Sequence, residues 1–214
     1  MKKIKKEYIF NALIVIVIIL LYVFDGLFLY TNFRERKRKE IVNGILDKVD
    51  KKIDDNKSAV DNNEINESIE SNSIDTNYKG YNYTILGKIR IKKINIYQPI
   101  IKENTKDSLN VSAVKIAGPS LNTYGNVVIG GHNFMKGNFF IKINKLVKDD
   151  VIEITDIFGN TLNYYVYEYG ITSIDDASYL KQPDDETVKM LTLVTCTKGG
   201  KERYYVKAKV KKWF

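Results

Sequence analysis

Two residues near the C terminus, Cys196 and Arg203, have the types and the spacing that nucleophilic chemistry requires. Cys196 is the only cysteine of the 214 residues and ends the predicted strand LTLVTC, while Arg203 begins the next predicted strand, RYYVKAKV. The six residues between them include two glycines and suit a turn, so the two side chains can meet if they share a face. A guanidinium stabilises a neighbouring thiolate and supplies donors for the oxyanion that forms when sulfur attacks a carbonyl. The alternative is a buried cysteine near a surface arginine, since buried free cysteines are common.

The single histidine, His132, favours the catalytic interpretation. It follows the predicted buried strand NVVIGG at the point where the chain leaves the sheet, and loops at strand ends commonly carry catalytic groups. A lone histidine is more often structural than catalytic. However, a cysteine nucleophile needs an acid–base partner, and imidazole is the usual one. The joint occurrence of His132, Cys196 and Arg203 therefore favours catalysis over packing.

The strands that must position these residues begin near Gly80. Residues 85–91 alternate apolar and polar side chains, as half-buried strands do, and residues 126–130 form the short apolar run of a buried strand. Residues 151–156 and 161–169 flank Phe-Gly-Asn and predict a hairpin. Many short strands without long helical periods predict a mainly β domain, either a closed barrel or a sandwich.

The N-terminal region predicts a membrane anchor. Residues 9–30 form a hydrophobic stretch of 22 positions, and a helix needs about 20 to cross the hydrocarbon layer. A basic tail, residues 1–8, precedes the stretch, and no small-x-small cleavage site follows it, which predicts an uncleaved transmembrane signal anchor. Four lysines before the stretch and five Lys and Arg residues after it leave its orientation open.

Residues 31–79 predict a polar juxtamembrane linker before a domain at residues 80–214. The basic start of this range can continue as a short helix, because several apolar residues recur at helical spacing. The rest is rich in Asn, Asp, Glu and Ser and buries too little apolar surface to order itself. The apolar residues at helical spacing are Ile41, Ile45, Leu46, Val49 and Ile53.

Composition excludes several classes of protein. A hydrophobic fraction of 44% and a charged fraction of 28% are normal for a folded chain. One cysteine cannot form an intrachain disulfide, and one cysteine with one histidine cannot by themselves build a zinc site. The net charge of +8 comes without the clustered basic stripe or the motif that nucleic-acid binding needs.

These segments together resemble the sortase family, the cysteine transpeptidases on the outer face of Gram-positive bacteria. The resemblance rests on GNVVIGGHNF followed by FF and KL, on TLVTC at residues 192–196, and on the arginine that opens the next strand. It covers residues 80–214 and includes the type and position of the anchor. It implies a closed eight-stranded sortase-type β-barrel with short helices, preceded by one N-terminal transmembrane helix. It also implies a cytoplasmic basic tail and an extracytoplasmic catalytic domain.

The resemblance implies a role for each candidate site residue. Cys196 corresponds to the nucleophile, His132 to the general acid and base, and Arg203 to the group that positions substrate and stabilises the oxyanion. The threonine before the cysteine and the backbone N–H after it correspond to groups that bind substrate or oxyanion. The expected substrate-binding residues are Thr195, Thr197 and Asn133.

The reaction that the resemblance implies is transpeptidation. Cys196 cleaves an LPxTG-like sorting signal between Thr and Gly, forms a thioacyl enzyme, and passes the acyl group to an amine. The expected partners are surface proteins with a C-terminal LPxTG-like signal and an amine acceptor such as a peptidoglycan precursor. No metal or organic cofactor enters these steps.

Some relatives bind calcium through acidic loops. The candidates in this sequence are Asp149, Asp150 and Asp156, although paired surface carboxylates are usually just solvated.

The sub-class and two rival functions stay open at this point. The chain has no Asp-Pro dipeptide of the kind found in pilus-type lids, and the short segment at residues 170–189 argues against the long inserted helix of another sub-class. It therefore resembles the compact sortases of class A, D or E, with class D favoured. One rival is a cysteine hydrolase of another family, although TLVTCT lacks the adjacent histidine of the wall L,D-transpeptidases. The other is a non-catalytic, membrane-anchored β-barrel that binds an envelope partner.

Overall fold

The computed structural model of the protein describes residues 2–61, 73–78, 80–133 and 140–211. The chain divides into two compact units, Met1–Lys39 and Glu40–Phe214. The division falls within a single helix, α1, which spans Lys2–Asp61.

The first unit is the start of α1, and its large apolar side chains are exposed. By length and composition, α1 is a helix that could cross a membrane. The hydrophobic stretch predicted at residues 9–30 therefore lies in a helix, as expected.

The second unit is built mainly from strands. One short helix, α2, spans Lys106–Val111, and 3₁₀ turns occur at Lys92–Ile94, Phe140–Lys145, Ser178–Leu180 and Lys198–Gly200. The strands are β1 (Ile74–Tyr78), β2 (Tyr81–Ile91), β3 (Ile96–Ile101), β4 (Ala113–Ala117), β5 (Gly125–Gly130), β6 (Val151–Asp156), β7 (Thr161–Ser173), β8 (Lys189–Thr197) and β9 (Glu202–Val210).

Eight of these strands close into a barrel. The order around the sheet is β2-β3-β4-β5-β8-β9-β7-β6, and an additional pairing of β6 with β2 completes the ring. The closing register joins Ile89 to Ile154 and Lys88 to Thr155. β1 pairs with β2 outside the ring. The predicted closed eight-stranded barrel is thus confirmed.

The barrel interior is filled by alternate residues of its strands, because successive side chains of a strand point to opposite faces. Val127 and Ile129 of β5 and Leu191 and Leu193 of β8 belong to this core. The 3₁₀ turn between β5 and β6 contributes Phe140, which is fully buried.

A second apolar cluster lies on the outside of the barrel, where the end of α1 packs. Its helical members are buried because their spacing puts them on one face of α1. The range predicted as a linker, residues 31–79, therefore contains part of the core, and the compact unit begins at Glu40 rather than at Gly80. Residues 62–72 of that range lie outside the described residues. The cluster joins Ile41, Val42, Ile45, Leu46, Val49 and Ile53 of α1 to Tyr83, Ile85, Ile101, Val111 and Val114.

Candidate active site

Cys196 and Arg203 are direct partners across the antiparallel pair of β8 and β9. Facing residues of such a pair have Cβ atoms about 4.5–5.5 Å apart and point to the same side of the sheet. Cys196 lies at the penultimate position of β8, and Arg203 is the second residue of β9. The register that the sequence left open therefore puts Cys196 and Arg203 at facing positions on the same side of the sheet.

The two side chains lie on the outer face of the barrel. Leu191 and Leu193 of β8 point into the core, and so do Val206 and Ala208 of β9. Strand alternation then turns Cys196 outward. The exposed fraction of Cys196 is intermediate, which suits a thiol that must reach a substrate.

His132 comes two residues after the end of β5, the parallel neighbour of β8. β5 pairs with β8 so that Gly130 faces Val194, and the ladder continues through a hydrogen bond of 3.1 Å from Gly131 N to Val194 O. His132 lies two residues beyond Gly130, as Cys196 lies two residues beyond Val194. The candidate nucleophile and cation thus face each other across β8 and β9, and the candidate base follows the adjacent strand β5; we call these three residues the candidate row.

Two glycines fix the path of the chain into His132. A Cβ atom on Gly130 would lie 2.4 Å from Ile116 Cδ1, and one on Gly131 would lie 2.7 Å from Phe140 Cγ. Contacts this short force a neighbour to move: at Gly130 the flexible end of Ile116 can shift, whereas at Gly131 the buried ring of Phe140 must shift, so glycine is favoured most strongly at Gly131. The glycine pair before the lone histidine was visible in the sequence, but its packing partners were not.

Two polar side chains connect the segment of His132 to the cysteine strand. Thr195 is buried, and its Oγ1 donates a hydrogen bond of 2.7 Å to Gly131 O. Asn133 Nδ2 donates one of 2.5 Å to Cys196 O. These contacts give both residues a positioning role within the protein, and their predicted contacts with substrate stay predictions.

Thr197 ends β8 opposite Glu202 and is half-buried. It directly follows Cys196, so its backbone N–H stays a candidate oxyanion donor. Phe134 and Phe139, which belong to the segment that carries the family resemblance, lie outside the described residues.

The guanidinium of Arg203 is held by the turn between β8 and β9. Its Nη1 donates to Gly200 O at 3.0 Å and to Glu202 O at 3.2 Å. Gly199 and Gly200 adopt φ angles of 66° and 92°, a region that favours glycine. The turn predicted from the glycine pair is thus confirmed, and it anchors one edge of the guanidinium. Among the described residues, the remaining N–H groups of Arg203 have no hydrogen-bond partner and can meet an oxyanion.

The surroundings of His132 favour its neutral form. Burial lowers the pKa of the imidazole, and the positive charge of Lys106 lowers this pKa further. Lys106 is the first residue of α2, a helix capped by Thr105, whose Oγ1 accepts a hydrogen bond from Ser108 N at 3.1 Å. A neutral imidazole can accept the proton of the thiol, as a general base must. The contribution of Lys106 could not be predicted from the sequence, because it depends on how α2 packs near His132.

The comparison with family models decides the family. The model described as the sortase domain matches residues 89–211, which contain the whole candidate row. The chain belongs to the sortase family. Its compact unit is correspondingly similar to solved sortases.

Two solved structures illustrate this similarity. A Clostridium perfringens sortase D5 transpeptidase is 26% identical, with a TM-score of 0.57, and the match covers 84% of this chain and 99% of that one. Sortase A from Corynebacterium diphtheriae is 25% identical, with a TM-score of 0.55, over 62% of this chain and 63% of that one. Sortase A of Bacillus anthracis is 29% identical over 127 residues, or 57% of this chain. The chain spans 58% of the length of that curated relative.

The acidic residues considered for calcium do not converge in this sortase. Asp150 lies just before β6, where its Oδ2 pairs with Lys93 Nζ at 2.7 Å, and Asp149 pairs with Lys211 at 3.1 Å. Asp156 lies at the other end of β6. Within the part of the chain that the structure describes, no three His, Cys, Asp or Glu side chains are grouped to hold a metal ion.

Proposed function

We propose that this sortase is a membrane-anchored cysteine transpeptidase that cleaves an LPxTG-like sorting signal between Thr and Gly. The proposal rests on Cys196 and Arg203, which face each other across β8 and β9, and on His132, which follows the adjacent strand β5. Such an arrangement supplies a sulfur nucleophile, a proton acceptor and a cation from neighbouring positions.

The first half-reaction forms a thioester. Cys196 Sγ attacks the Thr carbonyl carbon while its proton passes to the neutral imidazole of His132. The tetrahedral oxyanion is stabilised by Arg203 and by the backbone N–H of Thr197. When the carbon–nitrogen bond breaks, His132 returns the proton to the departing glycine amine, and the acyl group stays on sulfur.

The second half-reaction transfers the acyl group to an amine. The acceptor nitrogen attacks the thioester carbonyl, loses a proton to His132, and displaces Cys196, which regains its proton. The thioester divides amide exchange into two lower barriers and preserves the acyl activation until the acceptor arrives. The acceptor is an amine of a peptidoglycan precursor or of another surface molecule, and no cofactor enters either step.

The anchor supports an envelope location for this reaction. The apolar start of α1 has the length to cross a membrane, and the substrates proposed here are surface proteins that emerge at the outer side. We place the N terminus in the cytoplasm and the catalytic unit outside. The similarity to the Clostridium perfringens sortase D5 transpeptidase over 84% of the chain supports a class D assignment.

Peptide transfer by the full chain in non-ionic detergent micelles tests the proposal. Wild-type protein should join a labelled LPxTG-type peptide to an added amine with release of the residues after Thr. Cys196→Ala should retain its circular dichroism spectrum and lose transfer. Peptide transfer by Cys196→Ala would show that Cys196 is not the nucleophile. Cleavage by the wild type without transfer to any tested amine would indicate a hydrolase, and no reaction with any sorting peptide would favour a non-catalytic binding protein.

A further inference from the structure

Two lysines lie where β3 and β4 pair in parallel: Lys102 directly follows β3, and Lys115 is the third residue of β4. β3 and β4 pair so that Ile100 faces Ala113 and Ile101 faces Val114. The next step of this register puts Lys102 opposite Lys115. Like charges in directly opposite positions destabilise a sheet, so this pair needs an explanation.

Strand alternation directs both lysine side chains toward the inner side of the barrel, where Lys115 is half-buried and Lys102 is exposed. Ile100 and Ala113 belong to the interior core, whereas Ile101 and Val114 belong to the outer cluster under α1. Strand alternation then turns the following residues inward, and both line a cavity of about 570 Å³. The other lining residues are Ser73, Leu86, Ser120, Leu121, Asn122, Thr123, Asp156, Ile157, Phe158 and Asn160.

None of the residues that line the cavity belongs to the candidate active site. The cavity lies where β6 ends and β7 begins, whereas Arg203 faces Thr172 near the other end of β7. Lys115 comes nearer to that site, because it faces Ile129 of β5, three positions before His132. The cavity is nevertheless not part of the row that contains Cys196.

The positive charge in the cavity lacks a direct counter-ion. Among the described residues, neither Lys102 nor Lys115 forms a salt bridge. The Asp156 carboxylate is engaged in its own turn, where Oδ1 accepts from Phe158 N at 3.0 Å and Asn160 N at 2.9 Å, and Oδ2 accepts from Asn160 Nδ2 at 3.1 Å. Burial and the charge of Lys102 lower the pKa of Lys115, and an anion bound between the two ammonium groups would oppose both effects.

The wall of the cavity is rigid before any ligand arrives. Asn122, with a φ of 61°, donates from Nδ2 to Ile154 O at 3.2 Å and to Asn160 O at 2.8 Å, and its Oδ1 accepts from Tyr164 Oη at 3.3 Å. A preformed site lowers the ordering cost of binding.

We propose that this cavity binds a phosphate ester of a polyol. The phosphate lies between Lys102 and Lys115, which supply charge-assisted hydrogen bonds, and the polyol part lies against the hydroxyl groups of Ser120 and Thr123. The cavity is much larger than a bare phosphate ion, so the ligand carries a hydroxylated part as well. This site is independent of the transpeptidase proposal and does not need it to be correct.

Titration of the full chain in non-ionic detergent micelles with glycerol 3-phosphate, followed by isothermal calorimetry, tests the site. Binding should saturate, glycerol alone should not bind, and inorganic phosphate should bind more weakly than the ester. Lys115→Met should weaken binding at least tenfold, while Lys181→Met, which removes an exposed lysine elsewhere, should leave it unchanged. Without ligand, Lys115→Met should raise the melting temperature, because it removes the repulsion between the two lysines.

Several results would overturn the site. The site is wrong if glycerol 3-phosphate does not saturate the wild-type protein. It is also wrong if Lys115→Met binds glycerol 3-phosphate with wild-type affinity. Equal losses in Lys115→Met and Lys181→Met would mean general attraction to a basic chain. Equal affinity for inorganic phosphate and for glycerol 3-phosphate would show that the cavity does not recognise the polyol part of the ligand. A melting temperature that falls in Lys115→Met would contradict the repulsion on which the argument rests.

Discussion

Thr195 and Gly131 are joined by a buried hydrogen bond of 2.7 Å, which runs from the hydroxyl before the candidate nucleophile to the carbonyl before the candidate base. The bond ties β8 to the chain that leaves β5. It holds the backbone just before Cys196 against the backbone just before His132. The threonine thus acts through its neighbours, as a positioning residue.

Thr195→Val should lower both stability and kcat. The change leaves the Gly131 carbonyl without its buried donor, which costs about 1–3 kcal/mol of unfolding free energy, and it frees the segment of His132 to move. KM should change less than kcat, because the substrate surface stays intact. Denaturant unfolding and steady-state peptide transfer measure these effects.

The matched control is Thr155→Val, which removes an exposed hydroxyl pair with Thr161. Replacing Thr195 by Ser instead of Val keeps the hydroxyl group, so Thr195→Ser should retain most of the wild-type rate. Equal kcat in Thr195→Val and wild type contradicts the positioning role.

Arg203→Ala should reduce kcat/KM for peptide transfer by about 10²–10³-fold, the usual loss of one oxyanion donor. Arg203→Lys should recover only part of this loss, because an ammonium group lacks the planar fork of donors. Lys209→Ala removes an exposed cation from the same strand and should transfer at nearly the wild-type rate. A near-wild-type rate in Arg203→Ala would assign this arginine a structural role.

The imidazole of His132 should titrate below its usual pKa of about 6.5. Burial and the charge of Lys106 both disfavour the imidazolium, so the neutral form prevails at neutral pH and is lost only as the pH falls through the lowered pKa. Because the chain has one histidine, a single imidazole signal reports this pKa in a nuclear magnetic resonance titration of Cys196→Ala. Lys106→Met should raise the measured pKa, whereas Lys148→Met, an exposed control, should not. A pKa at or above 6.5 in the Cys196→Ala protein contradicts the assignment.

Gly131→Ala should destabilise the barrel by about 1–3 kcal/mol, the usual cost of overpacking. The added methyl would lie 2.7 Å from the ring of Phe140. In a Phe140→Leu background the same substitution should cost less, because the ring that it meets is gone. Denaturant unfolding of the four proteins forms a double-mutant cycle. Additive effects of the two substitutions would show that the contact does not limit this position.

Val49→Asp should cause a large loss of stability, because Val49 of α1 is fully buried in the outer cluster. An unpaired carboxylate at this position leaves a buried charge, and such changes commonly exceed 3 kcal/mol. Lys52→Asp on the exposed side of α1 is the control. Thermal unfolding of the full chain in detergent measures both variants. Wild-type stability in Val49→Asp would show that the end of α1 is a tether, as the composition of residues 31–79 first suggested.

The local parts of the fold were predictable from the sequence. Alternation in LTLVTC predicts that Cys196 and Val194 share a face, and the core membership of Leu191 and Leu193 confirms this pattern. The hairpin of β6 and β7 was also predicted, because its turn residues and alternation are close together in the sequence.

The long-range pairings were not predictable in this way. β5 pairs with β8 across more than sixty residues, and β2 closes on β6, pairings whose register depends on packing between distant segments. The packing of α1 against the barrel could not be predicted for a related reason. The sequence shows the apolar face of α1 at Ile45 and Val49, but it does not show which barrel residues cover this face.

The intact mass of the wild-type protein, mixed with a sorting peptide and no amine, reports directly on acyl transfer to Cys196. A covalent adduct should form whose added mass equals the peptide up to its Thr acyl group. The adduct should be sensitive to hydroxylamine, as a thioester is, and absent from Cys196→Ala. An adduct of the same mass on Cys196→Ala, or cleavage of the peptide with no adduct under rapid quenching, would show that Cys196 does not carry the acyl group.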